Sequence, residues 1–405
     1  MTINIAGAGG VVTPRAEAQA KASDKSRLLY IDNMRVWLII LVIVGHMAIT
    51  YGAPTGDWYY REEGEVSALF DIITLLLLGI GASFLLGLFY LIAGYFTPSP
   101  YDRKGPGAFI LDRLIRLGIP AAVYALIINP LVTYWAAVHG GHVGSFWQYV
   151  PTHLPDLTQA AVGPLWFVEG LLLFSIGYAL IRLAAGKKFG DSAARQTVAP
   201  VPGNRAIFLF ALGLGLVTFI TRIWAPAGWW WEPPHLEPGH FPQYIALFAV
   251  GILACRHDWL TRLNPAQARI WGWCALVCAP LLPALAIAAG ALTGEFDPAV
   301  AGGFTWLSLA YSLWEAFMGV AMVIVTLVWF RRRFNRQGSL LRRMTTAAYA
   351  VYVLHPLVIV PLALSLSRVQ LGLGLKFLLF APLAVVLCFA VGYLVKQLPV
   401  AGKIL

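Results

Sequence analysis

Charge is scarce in this 405-residue chain: Asp, Glu, Lys and Arg together make up 12%, against 59% hydrophobic residues. A soluble protein carries about twice that share of charge on its surface. The composition therefore excludes a soluble globular fold and points to a polytopic membrane protein. Cysteine is nearly absent as well, with four residues at 255, 274, 278 and 388, all in or beside apolar segments. No CxxC and no Cys/His ligand spacing occurs, so neither a disulfide framework nor a structural zinc site is expected. Residues 1–30 hold no apolar core of the signal-peptide kind. They are Ala/Gly-rich and polar, and are expected to form a disordered cytoplasmic tail ahead of one transmembrane domain over 31–405, whose first segment is an uncleaved anchor.

What the chain does have is long apolar runs. Ten segments can cross about 30 Å of hydrocarbon. They lie near 34–53, 67–97, 114–137, 164–182, 206–225, 242–256, 270–292, 306–330, 344–364 and 371–395. The expected fold is all-α, a polytopic transmembrane bundle of about ten helices. The second run is over-long, and Gly79 and Gly81 are the expected place for a tilt or break. With the N-terminus inside, 25 of the 29 Lys and Arg fall on inner flanks, leaving only Arg61, Arg222, Arg368 and Lys376 outside. That bias puts both termini in the cytoplasm. The net charge of +10 is thus a topology signal in short loops, not a nucleic-acid surface. No inserted soluble domain and no internal repeat is evident.

In MRVWLIILVIVGHM (34–47), Arg35 opens the run and His46 lies deep within it. Eleven positions at about 100° each return them to within about 20° of one face, roughly 16 Å apart along the axis. The spacing suits a long substrate lying along the helix, its anionic group at Arg35 and its reactive end at the imidazole. Ionisable groups within a membrane are costly and mark function. A snorkelling anchor for Arg35 and a packed, hydrogen-bonded histidine for His46 are the plain alternatives.

Three more such groups share the central-to-outer layer. Glu169 (GPLWFVEGLLL) lies about 9 Å from the outer end of its segment, Glu315 (YSLWEAFMG) about 15 Å from that side, and His355 (YAVYVLHP) about 16 Å up from the inside. A carboxylate beside a histidine fixes its tautomer and stabilises the imidazolium, which makes a general base. Which carboxylate neighbours His46 stays open, and a polar clamp between helices is the alternative for each group. Arg113 and Arg116, in DRLIRLGIP, are one turn apart at the cytoplasmic end, a geometry suited to phosphate. Positive-inside topology accounts for that pair taken alone, and for RRRFNR (331–336). Trp58–Tyr60 and Trp229–Trp231 read as an interfacial aromatic belt, with stacking on a sugar ring as the alternative.

Arg35-x10-His46, LFYLIAGYF (88–96), DRLIRLGIP, GPLWFVEGLLL and AAYAVYVLHP follow one another in an order and spacing that resembles the acyltransferase-3 family of bacterial integral membrane acyltransferases, over about residues 28–395. The overall look is most similar to its glucan succinyltransferase-like branch. The resemblance implies transfer of an acyl group from cytoplasmic acyl-CoA to a hydroxyl of a carbohydrate or similar acceptor, across a bacterial inner membrane. It implies that Arg35 and His46 are the essential pair, and that Arg113 and Arg116 match a cytoplasmic RxxR. Two positions depart from the family's pattern: its usual serines are Ala93 and Ala348 here. A C-terminal hydrolase-like domain, common in the family, is not expected.

The expected catalytic groups are therefore His46, Glu169, Glu315 and His355. The expected donor-binding groups are Arg35, Arg113, Arg116 and Tyr349, with Tyr352 an alternative to Tyr349. No metal and no tightly bound cofactor is expected; acyl-CoA is a substrate. The partners are acyl-CoA, a hydroxyl acceptor and the lipid bilayer, and not nucleic acid. A proton-coupled small-molecule transporter is the competing function, since buried Glu and His at mid-depth also describe a carrier. A non-catalytic membrane module is a third.

Overall fold

The computed structural model describes residues 28–153, 162–186, 199–232, 236–293 and 296–405. The expected N-terminal tail lies outside the described residues up to position 27. Among the described residues, ten helices are long and apolar enough to cross a membrane. They are α1 (Leu29–Thr50), α2 (Ala68–Lys104), α3 (Pro106–His139), α4 (Gly163–Ala184), α5 (Asn204–Trp224), α6 (Pro238–His257), α7 (Pro265–Ala288), α8 (Trp306–Arg333), α9 (Ser339–Leu366) and α10 (Leu373–Lys396). Each occupies one of the ten apolar segments. Helices are the outcome because lipid offers backbone groups no partner, so each span must satisfy its own.

Two boundaries differ from the hydropathy reading. The expected break at Gly79 and Gly81 is absent: Ala68–Tyr95 is one continuous α-helix. Gly79 makes room instead of a bend, since a Cβ there would lie 2.3 Å from the Leu282 side chain of α7. The third span starts at Pro106, not 114, because Gly105, at φ 76°, and Pro106 together start the helix ahead of its charged pair. Asp112 and Arg113 lower the hydropathy there without ending the helix.

Connections at the two ends alternate, so the ends have distinct identities. At the first, the arginine end, Asn33 Nδ2 donates to the carbonyls of Phe334 (2.6 Å) and Arg336 (3.0 Å). This fastens the start of α1 to the α8–α9 connection. At the other, the loop end, Glu62 N–H bonds the Thr50 carbonyl and Ala227 N–H bonds the Ala301 carbonyl, both at 2.8 Å.

α1 runs through the middle of the bundle. One stripe of it, Val36, Ile39, Ile43 and Met47, is buried in a core shared with α3, α4, α9 and α10. Another, Tyr30, Ile31, Met34 and Leu38, is buried against α2, α6 and α8. A helix apolar all round belongs in such a place. Arg35 and His46 lie beside the first stripe, as the helical spacing requires.

α2 and α6 meet backbone to backbone. A Cβ on Gly94 would fall 2.1 Å from the Phe248 carbonyl oxygen, and one on Gly251 would fall 2.1 Å from that of Leu91. Small residues permit this approach where lipid provides no hydrophobic drive between helices. Gly251→Val is therefore expected to destabilise the protein by about 3 kcal/mol, read as a lower Tm in detergent. Gly177→Ala on α4, where a Cβ meets nothing within 4 Å, is expected to leave Tm unchanged or raised. Equal losses for both would contradict the close packing of α2 on α6.

Candidate active site

The structure brings His46 and His355 together. Their rings stack with centroids 5.0 Å apart and planes 25° apart. Trp58, from the loop after α1, stacks on His46 at 3.9 Å and lies 5.8 Å from His355. The belt expectation fails for Trp58, which turns inward. Trp229, Trp230 and Trp231 stay exposed.

The local chemistry of α9 explains how His355 is set. Residue 356 is proline, so no backbone N–H is present to bond the Tyr352 carbonyl four residues earlier. The Nδ1 of His355 takes that place, 2.7 Å from the Tyr352 oxygen. A carbonyl only accepts, so Nδ1 carries the hydrogen and Nε2 carries the lone pair. That Nε2 is buried and makes no hydrogen bond among the described residues, and the same holds for His46 Nδ1. His355 is 1% exposed, whereas His46 is only partly buried.

The two carboxylates stand elsewhere. Glu315 was expected to be a candidate partner of His46, and the structure corrects this. Its oxygens are taken by Arg222 Nη2 (2.5 Å) and His240 Nδ1 (2.6 Å). His240 Nε2 lies 3.2 Å from Glu237. Arg222 also donates through Nε to the Gly239 carbonyl (3.2 Å) and lies 5.0 Å from the Tyr311 ring centroid. Arg222 is 0% exposed. Burial raises the Glu237 carboxyl, but the His240 contact and the Gly228 N–H outweigh it and the net shift is downward. Two cations and two carboxylates thus compensate each other in a clamp joining α5, α6 and α8. Glu169 stands on the first turn of the Trp166–Ala184 helix. Among the described residues, His46 stacks on His355, and neither ring has an ion pair or hydrogen bond with a carboxylate. Of the four groups expected in one layer, His46 and His355 therefore form a stacked pair and Glu315 belongs to an ionic clamp.

At the arginine end, Arg35 packs 4.9 Å from the Phe96 ring centroid and 3.5 Å from Asp32. Arg113 lies 4.9 Å from the Phe109 ring centroid. Arg116 is exposed and pairs with Asp112 at 3.3 Å. α3 widens into two π turns, Leu114–Gly118 and Tyr124–Ile128, each followed by a proline, Pro120 and Pro130. Pro120 removes the N–H that would bond the Arg116 carbonyl in an α-helix. The Tyr349 hydroxyl donates to that carbonyl at 2.8 Å. Three of the four expected donor-binding residues thus converge on one corner between α3 and α9, and Arg35 stands against α2. Tyr349 and His355 are six residues apart on α9, about 9 Å along the axis. Tyr352, between them, donates to the Pro164 carbonyl at the start of α4.

The sequence assigns no site role to Arg222 or His240, and it suggests a belt or a sugar platform for Trp58, not a place against the histidines. For Arg222 a signal existed: an arginine in the last turn of an apolar run, with PHLEPGH just beyond it. For Trp58 none did, because a loop residue carries no periodicity that says where it points.

Comparison with known proteins adds the following. The acyltransferase-3 family, described as an acyltransferase domain, matches residues 28–396. The chain is similar to the glucans biosynthesis protein C of Escherichia coli strain K12, 24% identical over 342 residues and covering 81% of each chain. The protein of the same name from E. coli O9:H4 (strain HS) is similar to the same extent, at 24% identity and 81% of each chain. No solved structure matches.

The proline account of the Arg116–Tyr349 bond has a direct check. Tyr349→Phe is expected to lower stability by about 1 kcal/mol, measured as Tm. In a Pro120→Ala background, residue 120 supplies the missing N–H and Tyr349→Phe is expected to have almost no effect. The same loss in both backgrounds would show that the Arg116 carbonyl does not depend on the tyrosine.

Proposed function

The chain belongs to the acyltransferase-3 family, and on that premise we propose that it moves an acyl group from cytoplasmic acyl-CoA to a hydroxyl of a carbohydrate on the outer side of a bacterial inner membrane. That it is a multi-pass membrane acyltransferase follows from its family and its ten apolar helices. The donor, the acceptor and the direction are the proposal. One observation carries it: a stacked histidine pair on α1 and α9, helices whose arginine-end halves hold Arg35 and the Tyr349–Arg116 bond.

The donor's phosphates sit at Arg113, Arg116 and Arg35, whose cationic groups suit them. Its extended arm runs along the Arg35–His46 face of α1. The thioester then lies at the histidines, nearer the loop end, where the acceptor arrives. An imidazole of the pair takes the acceptor hydroxyl proton as its oxygen bonds to the thioester carbonyl carbon. The C–S bond breaks, the thiolate collects the proton, and an ester and a free thiol result. His46 is the base placed by α1, and His355 offers a second lone pair at Nε2 fixed by its own carbonyl bond. An extended donor spares the acceptor any passage through lipid. The relatives' name concerns glucan biosynthesis, which makes a glucan oligosaccharide the first acceptor to try.

Titration of the purified protein with CoA, acetyl-CoA and succinyl-CoA checks the donor site by thermal shift. A saturable stabilisation is expected, about 2.7 kcal/mol at a hundred times Kd, weakened in Arg35→Ala and Arg116→Ala. His46→Ala is expected to bind donor with an unchanged Tm of its own and to abolish transfer. Absence of any shift with all three ligands would remove acyl-CoA as the donor, and normal turnover in His46→Ala would remove the base.

A further inference from the structure

Residues 51–67, between α1 and α2, contain no helix until the second span begins, yet they are fastened at several points. The Tyr59 hydroxyl lies 2.7 Å from the Tyr124 hydroxyl and donates to Asn129 Oδ1 at 2.6 Å, both on α3. Gly163, at φ 47°, gives way to it, since a Cβ there would fall 2.2 Å from the Tyr59 hydroxyl. Glu62 pairs at 2.5 Å with Lys376 of α10, a lysine 1% exposed. These fastenings hold the loop over the histidine pair with Trp58 flat on His46.

Trp58 itself is not fastened. Its Nε1–H is buried and makes no hydrogen bond among the described residues. Stacking and apolar packing hold the indole without any hydrogen bond from its N–H, and a buried unpaired N–H makes the closed position costlier to keep. Just before it the chain turns through Gly52 (φ 95°) and Gly56 (φ 96°), left-handed positions open to glycine. Residues on either side of Trp58 in the same loop, Gly52, Pro54 and residues 61–64, line an open cavity of about 490 Å³. Arg61, Glu62, Glu63 and Asp71 border it, and their side chains are hydrogen-bond partners for hydroxyl groups.

We propose that Trp58 decides between acyl transfer and hydrolysis: stacked on His46 it keeps water from the acyl donor, and a polyhydroxylated acceptor docking in the cavity beside the loop lifts it away. The inference rests on the acyltransferase mechanism with His46 in it. Without a cover, water takes the acceptor's place. Its oxygen bonds to the thioester carbonyl, the C–S bond breaks, and a carboxylic acid and a free thiol form with no ester made. Exclusion of water until the proper acceptor arrives is how a mobile cover confers specificity. Trp58 in this role positions and excludes; it gives up no proton.

Two measurements test it on the full-length protein in phospholipid vesicles. The first is diethyl pyrocarbonate labelling of His46 and His355, read by peptide mass spectrometry with the exposed His142 as internal reference. Wild type and Trp58→Phe are expected to stay protected, and Trp58→Ala to label several-fold faster. The second is thiol release from acetyl-CoA and succinyl-CoA, with and without a glucan oligosaccharide. Trp58→Ala is expected to raise release without acceptor and to lower ester formation with it, while Trp58→Phe keeps the wild-type ratio. Glu62→Gln weakens the Lys376 fastening and leaves the indole intact; it is expected to raise acceptor-free release to a lesser degree. Equal labelling of His46 in wild type and Trp58→Ala would overturn the cover. Normal transfer with unchanged hydrolysis in Trp58→Ala and Glu62→Gln would overturn its role alone. No thiol release from wild type under any condition would overturn the parent mechanism, and this role with it.

Discussion

A proline inside a membrane helix leaves the carbonyl four residues before it without an N–H, and in lipid no water comes to replace it. Two such vacancies organise this molecule. Pro356 frees the Tyr352 carbonyl, and His355 Nδ1 answers it. Pro120 leaves the Arg116 carbonyl open, and the Tyr349 hydroxyl answers that one. The first bond determines which nitrogen of His355 holds its lone pair. The second ties the arginine corner of α3 to the helix that carries His355. The backbone deficit imposed by proline is thus converted into side-chain geometry at both ends of the site.

The contrast between the two polar clusters follows from the cost of burying charge. Arg222, Glu315, His240 and Glu237 surround one another, so each charge meets an opposite one and the set acts as a clamp. Removing one member of such a set leaves an uncompensated charge, which is why clamps tolerate little change. The histidine pair is organised the other way. No carboxylate is seen against either ring among the described residues, and each ring keeps a buried nitrogen without a partner. Buried nitrogens of this kind leave lone-pair and donor capacity open to a substrate at the pair. The packing of Trp58 over this pair covers that capacity with an aromatic face.

Much of the fold was legible because a bilayer enforces simple rules on sequence. Ten spans follow from length and hydropathy, and the shared face of Arg35 and His46 follows from 3.6 residues per turn. Depth along each helix placed His46 and His355 in one layer, where they do meet. Depth cannot say which helices are neighbours, so it left open whether Glu169 or Glu315 stands beside His46, and the partners of Glu315 are on α5 and α6. The Gly79–Gly81 break was read from a preference that packing overrides, because Leu282 needs the space. Trp58 lay beyond any periodic rule: its position depends on Tyr59, Glu62 and Lys376, residues as much as 314 positions apart.

The most direct test of the central claim separates the two substrates by the membrane itself. The protein is reconstituted in sealed vesicles with one uniform orientation, with radiolabelled acyl-CoA supplied only on the side of the Arg35 end and a glucan oligosaccharide only on the side of the Trp58 loop. Labelled ester is expected on the loop side, with one free thiol released on the arginine side for each ester formed. Ester formed only when both substrates share one side would contradict a site that receives its donor and acceptor from opposite faces.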